Sequence, residues 1–380
     1  MTKICIICSK FFPIVGGGET HIFQVAKGLS ERDFKVTVVT NESSKAFPKD
    51  LPFDIKRIKG FNDEKINLNI SAPQLYQALI DIDPQIIHIH NYEPYLIFNL
   101  FANSFKDKKV FLTIHNTPLF PKRVFGTFKN FEAEFAAARN AINIGSQKCI
   151  VVASEYYKNS IEKIAAISQN IEIIPYGVDF KLFEADLKSP LRKKFKLLKN
   201  DVLILCPSRI VVRKGIKEAV VSLSHLPKNY KLFLPASFEP KDVDYFKEIK
   251  ILIIALKLQE RVILADKQYT AFEMPYVYQA SDIVIMPSYY EGLGFAVLEA
   301  MAMKKPVIGT NVVGLNESIK NDEDGLLIPA NNIQELANAV LRLTFDHKLR
   351  DMLIENAFNK VRFEFNLNTQ IDKLIHVYGF

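Results

Sequence analysis

The chain has 380 residues, which is too long for one ordinary hydrophobic core and sufficient for two domains. Its composition is globular, 48% hydrophobic and 24% charged, and no apolar run reaches the roughly 18 residues that a membrane span needs. The formal net charge of +7 is spread over both halves, so nucleic acid is not indicated as a partner.

Short β-branched runs alternate with amphipathic helical patterns along the chain. In order, the predicted strands read KICIIC, KVTVVT, QIIHIH, KVFLTI, CIVVA and IEIIP, then DVLILC, KLFLP, RVILA, DIVIMP and KPVIG. Several are continuous apolar runs, which is typical of strands buried on both faces. The alternation predicts an α/β fold with parallel, doubly wound sheets and helices on both sides.

This alternation stops near residue 174 and restarts near residue 201. The segment between has no predicted strand and contains a cluster of Lys and Arg, and we interpret it as a junction. We predict an N-terminal Rossmann-like domain over residues 1–179 and a C-terminal one over residues 180–363. Ligands bind at the carboxyl ends of strands in such sheets, so the cleft between the two domains is the expected site.

Cys5 and Cys8 form a C-x-x-C, a spacing that also occurs in redox and zinc sites. On a strand the two side chains point to opposite faces, and no second C-x-x-C is present to complete a zinc site. We therefore expect core packing, and buried thiols fit a reducing cytoplasm.

Three histidines lie at the ends of predicted strands. His88 and His90 end one strand and His115 ends the next. The H-x-H suggests a metal, yet no carboxylate or Cys joins it at ligand spacing. We expect a polar site role for His115 and no metal.

The segment PIVGGGETH follows the first strand and precedes a helix. Gly16, Gly17 and Gly18 allow backbone N–H groups to approach an anion near a helix N-terminus. A dinucleotide fingerprint would need glycine where His21 stands, so a dehydrogenase is disfavoured. The glycines alone are compatible with a ligand loop or with a tight turn.

A basic turn, PSRIVVRKG, follows the first strand of the second half. Its Arg209 and Lys214 could hold a diphosphate, Arg through its planar fork and Lys as a point charge. The alternative is an exposed basic loop.

Two carboxylates stand on either side of a Gly-Leu-Gly loop in EGLGFAVLEAMA. Glu291 precedes the loop, and Glu299 lies inside the helix that it opens. A carboxylate only accepts hydrogen bonds, and sugars offer vicinal hydroxyl donors. We predict that each glutamate contacts a different sugar ring of one nucleotide-sugar. The alternative is a helix cap or an ion pair with Lys304 or Lys305.

These motifs together resemble those of the large retaining glycosyltransferase family four, which has the GT-B fold. The matching blocks, in order along the chain, are GGGETH, FLTIHN, YGVD, SRIVVRKG, EGLGFAVLEAMA and GLNESIKNDEDGLLIP. The resemblance implies two Rossmann-like domains facing a central cleft. It also implies that the last helix, near residues 364–380, crosses back to the first domain.

The resemblance also assigns roles to single residues. Arg209 and Lys214 are implied to bind the donor diphosphate, and Glu299 to accept from the ribose hydroxyls. Glu291 is implied to contact the transferred sugar. His115 is implied to lie near the reacting sugar. Further donor contacts are implied for Gly17, Gly18, Leu293, Gly294 and Phe295.

The family is metal-independent, which implies that no cofactor is required. The implied partners are a UDP- or GDP-sugar donor and a sugar or lipid-linked acceptor, without nucleic acid. Residues 105–131 carry six Lys or Arg interleaved with Phe, which suggests peripheral membrane contact. We therefore expect a cytoplasmic location at the inner face of the membrane.

Some positions depart from the family pattern. The family often has Gly-Gly-x-Pro-Glu where this chain has VGLNE at 313–317, and Tyr176 and Leu293 stand where Asn and Phe are frequent. No charged site residue is lost, so we expect activity. The alternatives are a nucleotide-sugar epimerase of the same architecture and a non-catalytic subunit.

Overall fold

The computed structural model describes residues 1–12, 16–43, 50–61, 67–115, 131–166, 168–235, 242–265 and 267–380. They form two compact units. Unit 1 comprises Met1–Gly177 together with Leu367–Phe380, and unit 2 comprises Val178–Asn366. The divisions fall a few residues from the predicted 179 and 364, because Val178 pairs with Asn366 in a β-bridge inside unit 2.

Unit 1 contains seven strands in the described residues, all paired in parallel in the order β3-β2-β1-β4-β5-β6-β7. The strands are β1 (Lys3–Ile7), β2 (Lys35–Asn41), β3 (Asp54–Ile58), β4 (Ile86–His90), β5 (Lys109–Ile114), β6 (Cys149–Val152) and β7 (Ile171–Ile173). Strand order reverses between β1 and β4, where a doubly wound sheet opens a crevice at its carboxyl edge.

Helices cover both faces of this sheet, as the buried strands require. In the first part of the chain they are α1 (Gly17–Ser30), α2 (Leu68–Ile82), α3 (Tyr92–Asn99), α4 (Phe131–Ile144) and α5 (Glu155–Ile164). Cys5 and Cys8 are buried free thiols, so the expectation of core packing is confirmed.

The last helix, α14 (Leu367–Tyr378), packs against α1 within unit 1. A Cβ on Gly28 would lie 2.7 Å from Ile371 Cγ1, so glycine allows the close approach of the two helices. Arg32 Nε donates to Asp372 Oδ1 at 2.9 Å on the surface of the same contact. Ile371 and Tyr378 are completely or almost completely buried, and they make α14 part of the unit 1 core.

Unit 2 contains a six-stranded parallel sheet in the order β10-β9-β8-β11-β12-β13. Its strands are β8 (Val202–Leu205), β9 (Tyr230–Leu234), β10 (Val262–Leu264), β11 (Ile283–Met286), β12 (Val307–Thr310) and β13 (Leu326–Ile328). Here the order reverses between β8 and β11. The loops that follow these two strands therefore meet at the crevice where ligands bind in such sheets.

The helices of unit 2 complete a second doubly wound layer. They are α6 (Leu191–Lys194), α7 (Ile216–Leu223), α8 (Val243–Ala255), α9 (Met274–Ala280), α10 (Phe295–Ala302), α11 (Leu315–Ser318), α12 (Ile333–Phe345) and α13 (His347–Glu364). Among the described residues, no helix combines the length and apolar character needed to span a bilayer.

Candidate functional site

Three loops of unit 2 pack backbone against backbone at the carboxyl edge of its sheet. A Cβ on Gly215, which has φ +65°, would lie 2.0 Å from the Pro287 carbonyl oxygen. A Cβ on Gly314, which has φ +86°, would lie 2.1 Å from the Glu291 carbonyl oxygen. Only glycine meets both demands, because it lacks the Cβ and tolerates positive φ. The loops after β8, β11 and β12 are thereby joined at one place.

This contact brings two predicted site residues together as an ion pair. Glu291 is only 7% exposed, and its Oε1 accepts hydrogen bonds from Lys214 Nζ and from the Ser288 hydroxyl, the latter at 2.7 Å. On the other side, Arg213 Nη1 lies 3.8 Å from Glu291 Oε2. We call Arg213, Lys214 and Glu291 the charged cluster.

Electrostatics keep this cluster ionised. Burial raises the pKa of Glu291, but Lys214 and Arg213 outweigh it and hold that pKa below its usual value. Burial lowers the pKa of Lys214 to about 8, against the attraction of Glu291. Lys214 therefore remains mostly charged at neutral pH, and an added anion would favour its charged form further.

Arg209 lies between β8 and α7, in the same segment as Lys214, and its side chain is half-buried. Its positive charge contributes to the lowered pKa of Lys214, which places the two cations within electrostatic reach of each other. The structure therefore brings together the two residues that the sequence assigns to a diphosphate.

The second predicted glutamate lies one turn inside α10, and it is also buried. Tyr278 of α9 donates its hydroxyl to Glu299 Oε2 at 2.7 Å, and burial raises the pKa of Glu299 to about 7. Lys305 donates to the Gln279 carbonyl and Lys304 lies over the Phe358 ring. The alternative pairing of the glutamates with these lysines is therefore wrong.

The remaining unit 2 residues that were predicted to contact the donor lie at the start of α10. Leu293 is buried and its carbonyl accepts from the Ser318 hydroxyl. Gly294 adopts the left-handed conformation, φ +73°, as the N-cap, and Phe295 begins the helix. The N–H groups of a first helical turn and the positive end of the helix dipole favour an anion at this position.

A different polar group lies in unit 1. It consists of His21 on α1, His88 and His90 on β4, and His115 after β5, all of them buried. We call these four residues the histidine cluster. Burial lowers the pKa of every member, that of His88 to about 3 and that of His115 to about 4, so the cluster is neutral at physiological pH.

Both ring nitrogens of His115 are engaged inside unit 1. Its Nε2 lies 2.8 Å from His90 Nδ1, and its Nδ1 lies 2.8 Å from the Tyr176 hydroxyl. Tyr176, which stands where the family often has Asn, is therefore part of the site. Gly17 and Gly18 open α1 beside it, and a Cβ on Gly18 would be 3.9 Å from the His115 ring.

Three residues of the histidine cluster are close enough together to bind a metal ion, and they are the one such group among the described residues. Donor atoms of His21, His90 and His115 lie within 4.8 Å of one another. The Gly177 N–H donates to Gln370 Oε1 at 2.8 Å, so Gln370 Nε2 is a donor, and it faces His21 Nε2 at 2.5 Å. The proton of His21 is then assigned to Nδ1. In this arrangement His21 Nε2 accepts from Gln370, whereas the buried His21 Nδ1 and His90 Nε2 have no hydrogen-bond partner among the described residues, so the hydrogen-bonded network is incomplete at these two nitrogens.

Sequence reasoning missed several residues at these sites. Arg213 is the residue before Lys214, and the motif gave no reason to single it out. Its partner Glu291 is 78 residues away in the chain, and the two meet because β8 pairs with β11. Tyr278 and Gln370 belong to helices without a motif. No local signal identifies them, because their roles depend on helix packing.

Family models match both halves of the chain. One described as "Glycosyltransferase Family 4" matches residues 15–182, and one described as "Glycosyl transferases group 1" matches residues 188–360. A curated relative, UDP-Gal:alpha-D-GlcNAc-diphosphoundecaprenol alpha-1,3-galactosyltransferase of Escherichia coli, is 24% identical over 394 residues. That match covers 99% of this chain and 97% of the relative.

Solved structures show the same architecture. Sucrose-phosphate synthase from Thermosynechococcus elongatus matches with a TM-score of 0.88 at 20% identity, covering 100% of this chain and 98% of that one. Anabaena HepE, solved in complex with UDP and glucose, matches with a TM-score of 0.86 at 19% identity, covering 100% and 99%. The predicted GT-B fold is confirmed by these matches.

Proposed function

The chain belongs to glycosyltransferase family four, and on that basis we propose that it transfers a hexose from a nucleoside diphosphate sugar to a sugar or lipid-linked acceptor. We further propose that the product serves cell-surface polysaccharide or glycolipid synthesis. The observation that carries the proposal is the charged cluster, which lies at the carboxyl edge of the unit 2 sheet between the loops after β8 and β11.

In this proposal the donor binds unit 2 through its diphosphate and its two sugar rings. Arg209 and Lys214 contact the diphosphate, and the first N–H groups of α10 add neutral donors. Glu299 accepts from the ribose hydroxyls, while Glu291 accepts from the hydroxyls of the transferred sugar. The buried positions of both carboxylates support specific contacts, because burying an unused charge is costly.

We propose that transfer retains the anomeric configuration of the donor. Retention by double displacement would require an enzyme nucleophile on the far face of the sugar. Glu291, the nearest candidate, is held by Lys214 and Ser288, which suits contact with hydroxyls. The leaving phosphate oxygen could instead take the acceptor proton, with Arg209, Lys214 and the start of α10 stabilising the departing charge.

We also propose that no metal is required, because side-chain cations and a helix N-terminus suffice to neutralise the diphosphate. Activity should then survive EDTA. A strict requirement for added Mg²⁺ or Mn²⁺ would contradict this part of the proposal.

For the acceptor, we propose a sugar or lipid-linked glycan reached at the inner face of the membrane. The name of the Escherichia coli relative includes a diphosphoundecaprenol-linked sugar, which supports a lipid-linked acceptor. Much of residues 105–131, the segment predicted to contact the membrane, lies outside the described residues. Co-sedimentation with anionic vesicles at low salt tests this contact, and its absence would remove it from the proposal.

The central experiment measures nucleoside diphosphate release from UDP- and GDP-sugars with and without an acceptor extract. Release only with acceptor supports transfer, whereas conversion of the donor to an epimer without acceptor supports the alternative activity. Catalytic inactivity with every donor and extract would favour a non-catalytic subunit. NMR of the product linkage from an α-linked donor then tests retention, and a β-linkage would overturn it.

A further inference from the structure

If the proposed function is correct, Lys214 pairs with Glu291 in the unliganded protein and with the diphosphate in the donor complex. In the structure its ammonium bonds to Glu291 Oε1, whereas the proposed donor complex requires it at the diphosphate. A diphosphate carries more negative charge than one carboxylate and attracts the lysine more strongly. Glu291 would then lose most of its pairing with Lys214 when the donor binds.

Glu291 cannot easily remain without a cation. It is 7% exposed, and Ser288 provides only a neutral hydrogen bond to Oε1. A buried carboxylate that loses its ion-pair partner is strongly destabilised. The donor complex therefore needs another positive charge near Glu291 for that carboxylate to stay ionised and accept from sugar hydroxyls.

Arg213 is placed to supply this charge. Its Nη1 lies 3.8 Å from Glu291 Oε2, on the carboxylate oxygen opposite the one that Lys214 uses. This distance is within ion-pair range but longer than a hydrogen bond. A small rotation of the side chain would close it, and a guanidinium can form a strong charge-assisted bond there.

The same residue is attached to the loop that carries Glu291. The Arg213 carbonyl accepts from the Tyr289 N–H at 2.9 Å, and its guanidinium lies 5.4 Å from the centre of the Tyr290 ring. Arg213 is therefore held beside Glu291 through contacts that do not involve Lys214.

We propose that Arg213 is a positioning residue that becomes the main cationic partner of Glu291 when the donor diphosphate engages Lys214. The proposal rests on the proposed function of the site. It predicts that Arg213 acts on donor binding through Glu291 and not through a direct phosphate contact.

A double-mutant cycle distinguishes these two routes. Binding of UDP and GDP, which lack the transferred sugar, is measured by calorimetry for the wild type, Arg213→Gln, Glu291→Gln and the double variant. We expect Arg213→Gln alone to weaken diphosphate binding roughly tenfold to a hundredfold, because Glu291 is left unpaired. In the Glu291→Gln background, the same substitution should change binding by no more than about twofold.

Two controls test for a merely structural effect. Arg213→Lys keeps the charge and should recover most of the lost affinity. Arg342→Gln removes a cation that also pairs with a carboxylate, Asp322, which precedes β13 and so lies at the opposite edge of the unit 2 sheet from the site. This variant should bind the diphosphate like the wild type.

Several outcomes would overturn the proposal. Equal loss of affinity on Arg213→Gln in both backgrounds would show that Arg213 contacts the phosphates directly. No loss in the wild-type background would show that Glu291 needs no second cation. If neither diphosphate binds the wild type, the donor site itself is wrong and both proposals fall. If a diphosphate binds the wild type but the cycle gives either of the first two results, only the proposed role of Arg213 is wrong.

Discussion

The charged cluster of unit 2 and the histidine cluster of unit 1 are built at comparable places on similar sheets, yet they handle burial in opposite ways. The charged cluster keeps its groups ionised by pairing Glu291 with Lys214 and Arg213. The histidine cluster contains four neutral imidazoles that pair with one another, with hydroxyls or with an amide. Similar backbone frameworks therefore support two electrostatically different sites.

The two clusters differ in whether they can exchange a charged partner for a bound ligand. An ionised pair can give up one partner to an incoming anion, because the remaining charge can be matched again. A neutral network has no net charge to offer an anion and suits hydroxyl groups better. This contrast supports a diphosphate in unit 2, and it predicts different responses of the two clusters to pH and to substitution.

The largest expected effect is acid destabilisation from the histidine cluster. The unfolded imidazoles take up protons near pH 6.5, whereas burial lowers the folded pKa values, so stability falls as pH drops below 6.5. At pH 5.5 each buried histidine lowers the free energy of unfolding by about 1.4 kcal/mol, so the four together lower it by about 5–6 kcal/mol. Urea unfolding at pH 7.5 and 5.5 measures the loss.

Replacing His90 with Gln should reduce this pH dependence, whereas replacing exposed His225 or His347 with Gln serves as the matched control. An unchanged slope in the His90 variant would show that the cluster does not resist protonation.

Lys214→Ala should have the next largest effect on stability. Removal of Lys214 leaves the buried Glu291 with Arg213 alone, at 3.8 Å, which we expect to cost toward the lower end of about 3–5 kcal/mol and to abolish measurable diphosphate binding. Adding Glu291→Ala should restore stability without restoring that binding. Urea unfolding and calorimetry measure the two quantities. Lys217→Ala, at a nearby exposed lysine, should leave both near wild type.

Glu299 should make donor binding depend on pH near neutrality. Its folded pKa is about 7 against 4.5 for the unfolded chain, so the folded state binds more protons in this window and loses stability as pH rises through it. Glu299→Gln should therefore stabilise the unliganded protein by up to about 3 kcal/mol at pH 8.

Diphosphate affinity should rise from pH 6 to pH 8 in the wild type, because ribose hydroxyls favour the ionised carboxylate, and should change less in Glu299→Gln. Calorimetry at both pH values measures this. Parallel pH profiles for the two proteins would remove Glu299 from the ribose site.

The smallest expected effect comes from Tyr176→Phe. This change removes the hydroxyl bonded to His115 Nδ1 and leaves a buried ring nitrogen without that partner, at a cost of about 1–2 kcal/mol. Urea unfolding at pH 7.5 measures it. A variant as stable as the wild type would show that the Tyr176–His115 bond adds nothing to the network.

Most of the fold could be predicted from the sequence, because eleven of the strands are short apolar runs. The two strands that were missed, β3 and β13, lie at sheet edges. β3 reads DIKRI and is only partly buried, and β13 has three residues that follow a turn. Edge strands are buried on fewer sides, so their sequences need not be continuously apolar, which explains β3. β13 reads LLI and is apolar, but it is only three residues long.

The sequence predicted which residues belong to the site but not how they contact one another. The motifs locate Arg209, Lys214, Glu291 and Glu299 on the correct loops, but they do not show which groups touch. The Lys214–Glu291 pair depends on β8 lying next to β11, and the Glu299–Tyr278 bond depends on the packing of α9 against α10. Such contacts follow from strand order and helix packing, which local patterns do not determine.

The split of unit 1 between two distant parts of the chain has a consequence for synthesis on the ribosome. The α14 helix contributes Ile371, Leu374 and Tyr378 to the unit 1 core, but 189 residues of unit 2 are translated before it. At about 5–20 residues per second this takes roughly 10–40 seconds. During that interval the nascent unit 1 exposes the apolar surface that α14 will cover, which makes it a natural client for chaperones that bind emerging chains.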